Sequence, residues 1–176
     1  MTDDLTPVIA ASTRWLLAAY PAPGGALSRA LAEAQARQAV TLAATLRYPT
    51  TLDVQLLHLL APSGSHRLDW LTGGEPQPDG TGDTAWRTWV DETVVSWAAC
   101  LLADPALAAD AARRAAATSA VSGHPAAGGL RRLTDPGNRD TEAAPLLRHP
   151  DLLEHIAGLH RPQLLELLSV DTAGLP

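Results

Sequence analysis

The sequence predicts an all-α protein, a single helical bundle of about five to seven helices. Three observations predict it. Alanine (33) and leucine (29) supply 62 of the 176 residues, and both favour helix. No run alternates apolar and polar residues as a half-buried strand would. Helix-start signals recur along the chain, in Thr6-Pro7, in Thr50 with Asp53, and in Asp104-Pro105.

Taken in order, Thr6-Pro7 opens the first helix, with Thr6 as N-cap and Pro7 at the first helical position, where its missing N–H costs nothing. This helix runs to about residue 20 and is stopped by Pro21-Ala22-Pro23-Gly24-Gly25. The second spans about 26–47. Its expected buried side is Leu27, Leu31, Ala34, Leu42 and Leu46, at three- and four-residue steps, with Arg29, Glu33 and Arg37 opposite. Pro49 ends it. Thr50 and Asp53 resemble a capping box for a short third helix carrying Leu52, Leu56, Leu57, Leu59 and Leu60.

The stretch 73–83, GGEPQPDGTGD, is expected to be a flexible Gly/Pro-rich loop, because it has turn formers and no apolar side chain to bury. It separates an N-terminal half (1–72) from a C-terminal half (84–176). Each half is small for a core of its own, so one domain over 1–176 is expected. A fourth helix at about 84–103 would carry Trp86, Trp89, Val90, Val94, Trp97 and Leu101 on one broad face, and Arg87, Asp91, Glu92 and Ser96 elsewhere. Asp104-Pro105 stops it and starts a fifth, 105–121, almost all alanine. Such a helix approaches its neighbours closely but buries little area per turn. A second loop zone is expected at 122–145. The chain finishes with two short helices, 150–159 and 162–170, each opened by Pro-x-Leu-Leu-Glu.

Composition removes several chemistries. All 13 cationic side chains are arginine, so a Walker A loop, a Schiff-base enzyme and a pyridoxal-phosphate lysine are excluded. GC-rich codon usage accounts for the missing lysine and phenylalanine without selection on function. The single Cys100 excludes an internal disulfide framework and a four-cysteine zinc site, and on an apolar helix it reads as an inert buried thiol. MTDDLTPV lacks the basic region of a secretory signal, and 94–103 is too short for a membrane span, so a cytoplasmic protein is expected.

Net charge is −6 but unevenly placed: 0 over 1–60, −5 over 61–104, +3 over 105–132 and −4 over 133–176. An acidic whole disfavours nucleic acid and anionic membrane. The basic block makes Arg113, Arg114, Arg131 and Arg132 the expected partner-binding surface.

The densest set of acid–base groups is His149, Asp151, Glu154, His155 and His160. Asp151 and His155 stand four apart and share a helix face, which makes Asp151, Glu154, His155 and His160 the catalytic candidates. Their spacing matches neither His-Glu-x-x-His nor the Glu-x-x-His of di-metal bundles, so neither a metal nor a cofactor is expected. Arg148 and His155 have the Arg-x4–6-His spacing of HEPN ribonucleases, but about one such pair arises by chance in this composition, and nothing else in the chain follows that family. Trp86, Trp89 and Trp97 are core or pocket-wall candidates. His58, His66 and Trp70 are candidates for a polar pocket corner.

Two functions of different classes follow. One is a helical interaction or accessory protein, an adaptor or regulatory subunit with a protein partner or a second copy of itself. The other is a small enzyme or ligand-binding protein for an apolar or aromatic metabolite, with a Trp-lined pocket and His/carboxylate chemistry.

Overall fold

A computed structural model describes residues 4–74, 84–122 and 129–170, so most of the expected 73–83 loop lies outside the described residues. The elements are α1 (Thr6–Ala19), α2 (Ala26–Arg47), α3 (Thr51–Leu60), α4 (His66–Leu71), a 3-10 turn (Ala85–Trp89), α5 (Glu92–Ala103), α6 (Pro105–Ser122), α7 (Arg131–Thr134), α8 (Asn138–Ala143), α9 (Pro145–Arg148), α10 (Pro150–Ala157) and α11 (Arg161–Ser169). Seven of these helices have eight or more residues, and no strand occurs among the described residues. The fold is all-α, and no helix among the described residues is long and apolar enough to cross a membrane.

The centre of the bundle is the α2–α5 pair. α1, α6, α7 and α8 pack on α2, while α6, α9, α10 and α11 pack on α5. One apolar cluster draws on both sides of the 73–83 stretch, from Trp15, Leu42 and Leu68 to Leu101, Leu133 and Ile156. α5 has apolar side chains nearly all round and is buried on every side, as such a helix must be. Each of its fully buried leucines, Leu101 and Leu102, stabilises the fold by about 1.5–3 kcal/mol.

Several local signals act as expected. Thr50 and Asp53 form a complete capping box at the start of α3. Asp104 accepts from the backbone N–H groups of Ala106 and Leu107 at 3.0 and 3.1 Å, which stops α5 and starts α6.

Other expectations need correction. At α1 the cap position belongs to Leu5, and the Asp4 carboxylate accepts from both the N–H and the hydroxyl of Thr6. On α2, Leu42 and Leu46 are buried, but Leu27 is 69% exposed, and Leu31 and Ala34 are only half-buried. The face α2 buries runs instead through Ala32, Gln35, Ala36, Ala39 and Ala43. Alanine lets neighbouring helices come close enough for backbone and Cβ atoms to pack, so the small residues set the contact and the larger ones sit at its margin.

The expected continuous helix 84–103 is broken at Val90 and Asp91. Asp91 is extended, only 5% exposed, and its carboxylate caps α5 by accepting from Thr93 and Val94 N–H. Ser96, expected outside, is fully buried and bonds the Ala157 carbonyl and the His160 N–H. Nor is 122–145 wholly loop. α7 and α8 fall within it, and Leu133 and Ala143 are buried.

Candidate functional site

The break at Val90 and Asp91 disperses the tryptophans. Trp15, on α1, is 2% exposed and donates its indole N–H to Asp69 at 2.9 Å. The guanidiniums of Arg14 and Arg87 both lie over the Trp86 ring, at 4.5 and 4.9 Å from its centre. Both distances are within cation–π range. Trp89 meets the His58 ring at 5.5 Å, and His58 Nε2 is bonded to the Asp4 carbonyl. Trp97, 4% exposed, donates to the His160 carbonyl at 3.0 Å. Trp70 is 76% exposed. The expected face of Trp86, Trp89 and Trp97 on one helix is therefore not formed, since the first two belong to the 3-10 turn and the third to α5.

Asp69 is the most heavily bonded polar side chain in this region. It accepts from Trp15, from Ser65 Oγ at 2.8 Å, and from Arg87 Nη1 at 2.8 and 2.9 Å. Asp69 is not among the candidates the sequence offers, because the groups it gathers come from α1, the residue before α4 and the 3-10 turn. A pocket of about 230 Å³ opens beside it, lined by Ala61, Ser63, His66, Asp69 and Arg87 among others. His58 and Trp70, expected with His66 at one pocket corner, do not line it. Ala61, at φ +60, occupies a conformation that costs an alanine about 1–3 kcal/mol. Gly64, at φ +77, needs no such strain to donate its N–H to the Val90 carbonyl at 2.8 Å. These bonds fasten the loop after α3 to the start of α5.

Of the four catalytic candidates, His160 lines a concave site. Its Nε2 is 2.7 Å from Glu92 Oε1, which also receives Arg67 Nη1 at 3.2 Å. The His160 and Glu92 side chains are 19% and 13% exposed. A groove of about 550 Å³ runs past them, lined by Arg47, Trp97, His160, Glu166, Leu167 and Val170 among others. His160 and Trp97 thus come together, but the carboxylate partner is Glu92 from the far side of the sequence. Asp151 and His155 are exposed. Glu154 is bound by both terminal nitrogens of Arg161, at 2.9 and 2.7 Å, and this pairing holds its carboxyl below the ordinary glutamate range. Cys100 is buried, its thiol donates to the Ala157 carbonyl, and burial pushes its pKa up, away from nucleophilic use. No group of three or more His, Cys, Asp or Glu suited to a metal ion occurs among the described residues. The Glu92 carboxylate thus orients the His160 imidazole, with Arg67 as a second partner of the same oxygen.

The arginines expected to meet a partner are largely matched by carboxylates nearby. Arg113 bonds Asp110 on the same helix. Arg131 lies 3.9 Å from Asp135, and Arg132 is 2.7 Å from Asp140. Arg114 is half-buried on α6. Burial works against the charge on Asp140. Arg132, the Gly137 N–H and Arg148 outweigh it and hold the carboxyl below the ordinary aspartate range. Gln35, fully buried, donates to the Asp140 carbonyl at 2.8 Å and ties α2 to α8. This cluster acts as a brace between helices.

The surface that stands out is apolar. On α3 only Val54 and Leu57 face the core. Leu52, Leu56, Leu59 and Leu60 are 63%, 43%, 79% and 74% exposed. At about 100° per residue the four fall within roughly 100° of arc, turned away from the buried pair. α3 is therefore apolar on two opposite stripes, and one faces solvent. A cleft of about 270 Å³ borders this stripe, lined by Arg47, Tyr48, Asp53, Leu56, Leu57 and Leu60 with Ala61. Arg47 also lines the Trp97 groove, so the leucine stripe and the groove, with Leu167 and the 61%-exposed Val170, meet at one arginine. The spacing 52, 56, 59, 60 was the signal available in the sequence. No family model, curated protein or solved structure matches this chain.

Proposed function

We propose that this protein is a small cytoplasmic interaction or accessory protein, an adaptor or regulatory subunit, whose working surface is the outer stripe of α3. One observation carries the reading: four leucines stand on the solvent side of a helix that already has its own buried stripe. Together they expose roughly two and a half leucines' worth of apolar surface. Covering it would contribute about 4–7 kcal/mol per copy before the costs of association. A contiguous apolar patch rimmed by polar residues such as Arg47, Asp53 and Gln55 is the usual mark of a protein-binding face. Affinity capture from the native host tests this, comparing the wild type with a Leu56→Asp/Leu60→Asp variant. A partner retained by the first and lost by the second is expected. Identical recoveries from both would retire the reading.

A second reading, a ligand-binding protein or enzyme for an apolar or aromatic metabolite, is favoured by one observation, the meeting of Trp97, Leu167 and His160 in the 550 Å³ groove. That volume falls in the range of small-molecule sites. Calorimetric titration with aromatic carboxylates tests it, with His160→Gln as the control expected to weaken binding. No heat from the wild type would dispose of it.

A further inference from the structure

We infer that the pocket beside Asp69 binds a small hydroxycarboxylate, with Arg87 as the receptor of its carboxylate. This pocket shares none of its polar side chains with the cleft beside α3 or with the Trp97 groove, so it stands independently of both readings above.

Arg87 is held at one nitrogen. Its Nη1 donates to both Asp69 oxygens, at 2.8 and 2.9 Å, and to Ser65 Oγ at 3.4 Å. Nε and Nη2, whose N–H groups share one edge of the planar guanidinium, make no hydrogen bond among the described residues. Two parallel N–H groups on such an edge match a carboxylate, which takes one on each oxygen. The side chain is 29% exposed and lines the pocket. Asp69 leaves this arginine able to hold a second anion, because its oxygens also accept from the Trp15 indole N–H and the Ser65 hydroxyl. The Asp69 charge is therefore not met by Arg87 alone. With Asp69 at one nitrogen and the Trp86 ring against it, the guanidinium is positioned before a ligand arrives and loses little freedom on binding.

Two hydroxyls select the rest of the ligand. Ser63 Oγ accepts from the Glu92 N–H at 2.8 Å, which leaves its own O–H to donate. Thr88 Oγ1 donates to the Ala85 carbonyl at 2.8 Å, which leaves its oxygen to accept. Both line the pocket. A ligand hydroxyl donates and accepts, so one such group serves both. The volume of about 230 Å³ sets the size. At about 30 Å³ each it holds roughly seven waters, the bulk of a small organic acid and less than a drug-sized ligand needs. Residues 61–104 carry a net charge of −5, which favours a monoanion over a phosphate dianion. The loop wall includes Ala61, at φ +60, so the chain maintains the shape of this pocket against local strain.

An NMR titration of the isotope-labelled full chain with lactate tests this. The Arg87 Nε–H resonance and the Gly64 amide are expected to shift together and saturably, with a Kd of about 1 mM. Acetate keeps the carboxylate but lacks the hydroxyl, and is expected to bind about tenfold more weakly. Arg87→Lys keeps a cation for Asp69 but has no parallel N–H pair. It is expected to weaken lactate binding about tenfold with an unchanged helical circular-dichroism spectrum. Ser63→Ala is expected to weaken lactate and leave acetate as it was, so the preference for lactate falls. That ratio decides the matter even where Arg87→Lys fails to fold. Arg37→Lys, exposed on α2, serves as the control and is expected to bind lactate as the wild type does.

A wild type with no saturable shift overturns the inference, as does lactate binding indifferent to both Arg87→Lys and Ser63→Ala. Acetate or inorganic phosphate binding as tightly as lactate overturns the assignment to a hydroxycarboxylate.

Discussion

α3 and α5 are both leucine- or valine-rich helices of 10 and 12 residues, yet the bundle treats them in opposite ways. Nine of the α5 residues are buried, among them Val94, Val95, Leu101 and Leu102, because α2, α6, α10 and α11 surround it. On α3 two residues are buried, Val54 and Leu57, and four leucines point to solvent. Composition alone does not separate the two cases. Position in the packing does: α5 contributes to stability on every face, while α3 divides its apolar side chains between the core and an outward stripe.

This comparison can be broken most forcefully at Leu101. Replacing it with alanine is expected to cost about 2–5 kcal/mol in urea unfolding, through lost transfer free energy and a residual cavity. Leu59→Ala, the same change on the α3 stripe, should lie within about 0.5 kcal/mol of wild type in dilute solution. Equal losses at the two sites would erase the distinction. Asp91→Ala should have the next largest effect, about 2 kcal/mol, because it removes the cap of α5 and strips the Tyr48 hydroxyl of its acceptor.

Tyr48→Phe isolates that hydroxyl and is expected to cost about 1 kcal/mol. Burial, followed by the neighbouring Asp91, raises the Tyr48 pKa above the ordinary value of 10.0. The neutral phenol is thus favoured in the folded state. Its contribution is fully present below pH 10 and declines as pH rises from there toward the folded-state value. Unfolding measured from pH 8 to 11 should show this decline in the wild type and less of it in Tyr48→Phe. Parallel profiles would remove Tyr48 from the account.

Much of this architecture was legible residue by residue. The end of α2 before Pro49, the Thr50–Asp53 box and the Asp104-Pro105 junction are all set by local chemistry, namely side-chain caps and proline's fixed φ. The buried face of α2 was not, because leucine spacing directs attention to Leu27 and Leu31 whereas close helix approach uses Ala32, Ala36 and Ala39. That displaces the buried face by roughly a quarter turn. The break before α5 was hidden for a different reason. Asp91 looks like an exposed polar residue until Tyr48, 43 positions earlier, is brought beside it. Of the candidate site residues, His160 and Trp97 do share a groove, but the partner of His160 is Glu92, which the helical register alone had set aside. The leucine stripe was visible as spacing. Its outward direction depends on which side of α3 the core occupies, and that is a property of the assembled bundle.

Hydrogen–deuterium exchange of the full chain tests the central contrast most directly. Amides of α5 are expected to exchange slowly, since packing surrounds that helix on every face. Those of α3 should exchange faster, since one of its two apolar stripes lies against solvent. Contradiction would come from α3 amides as protected as those of α5.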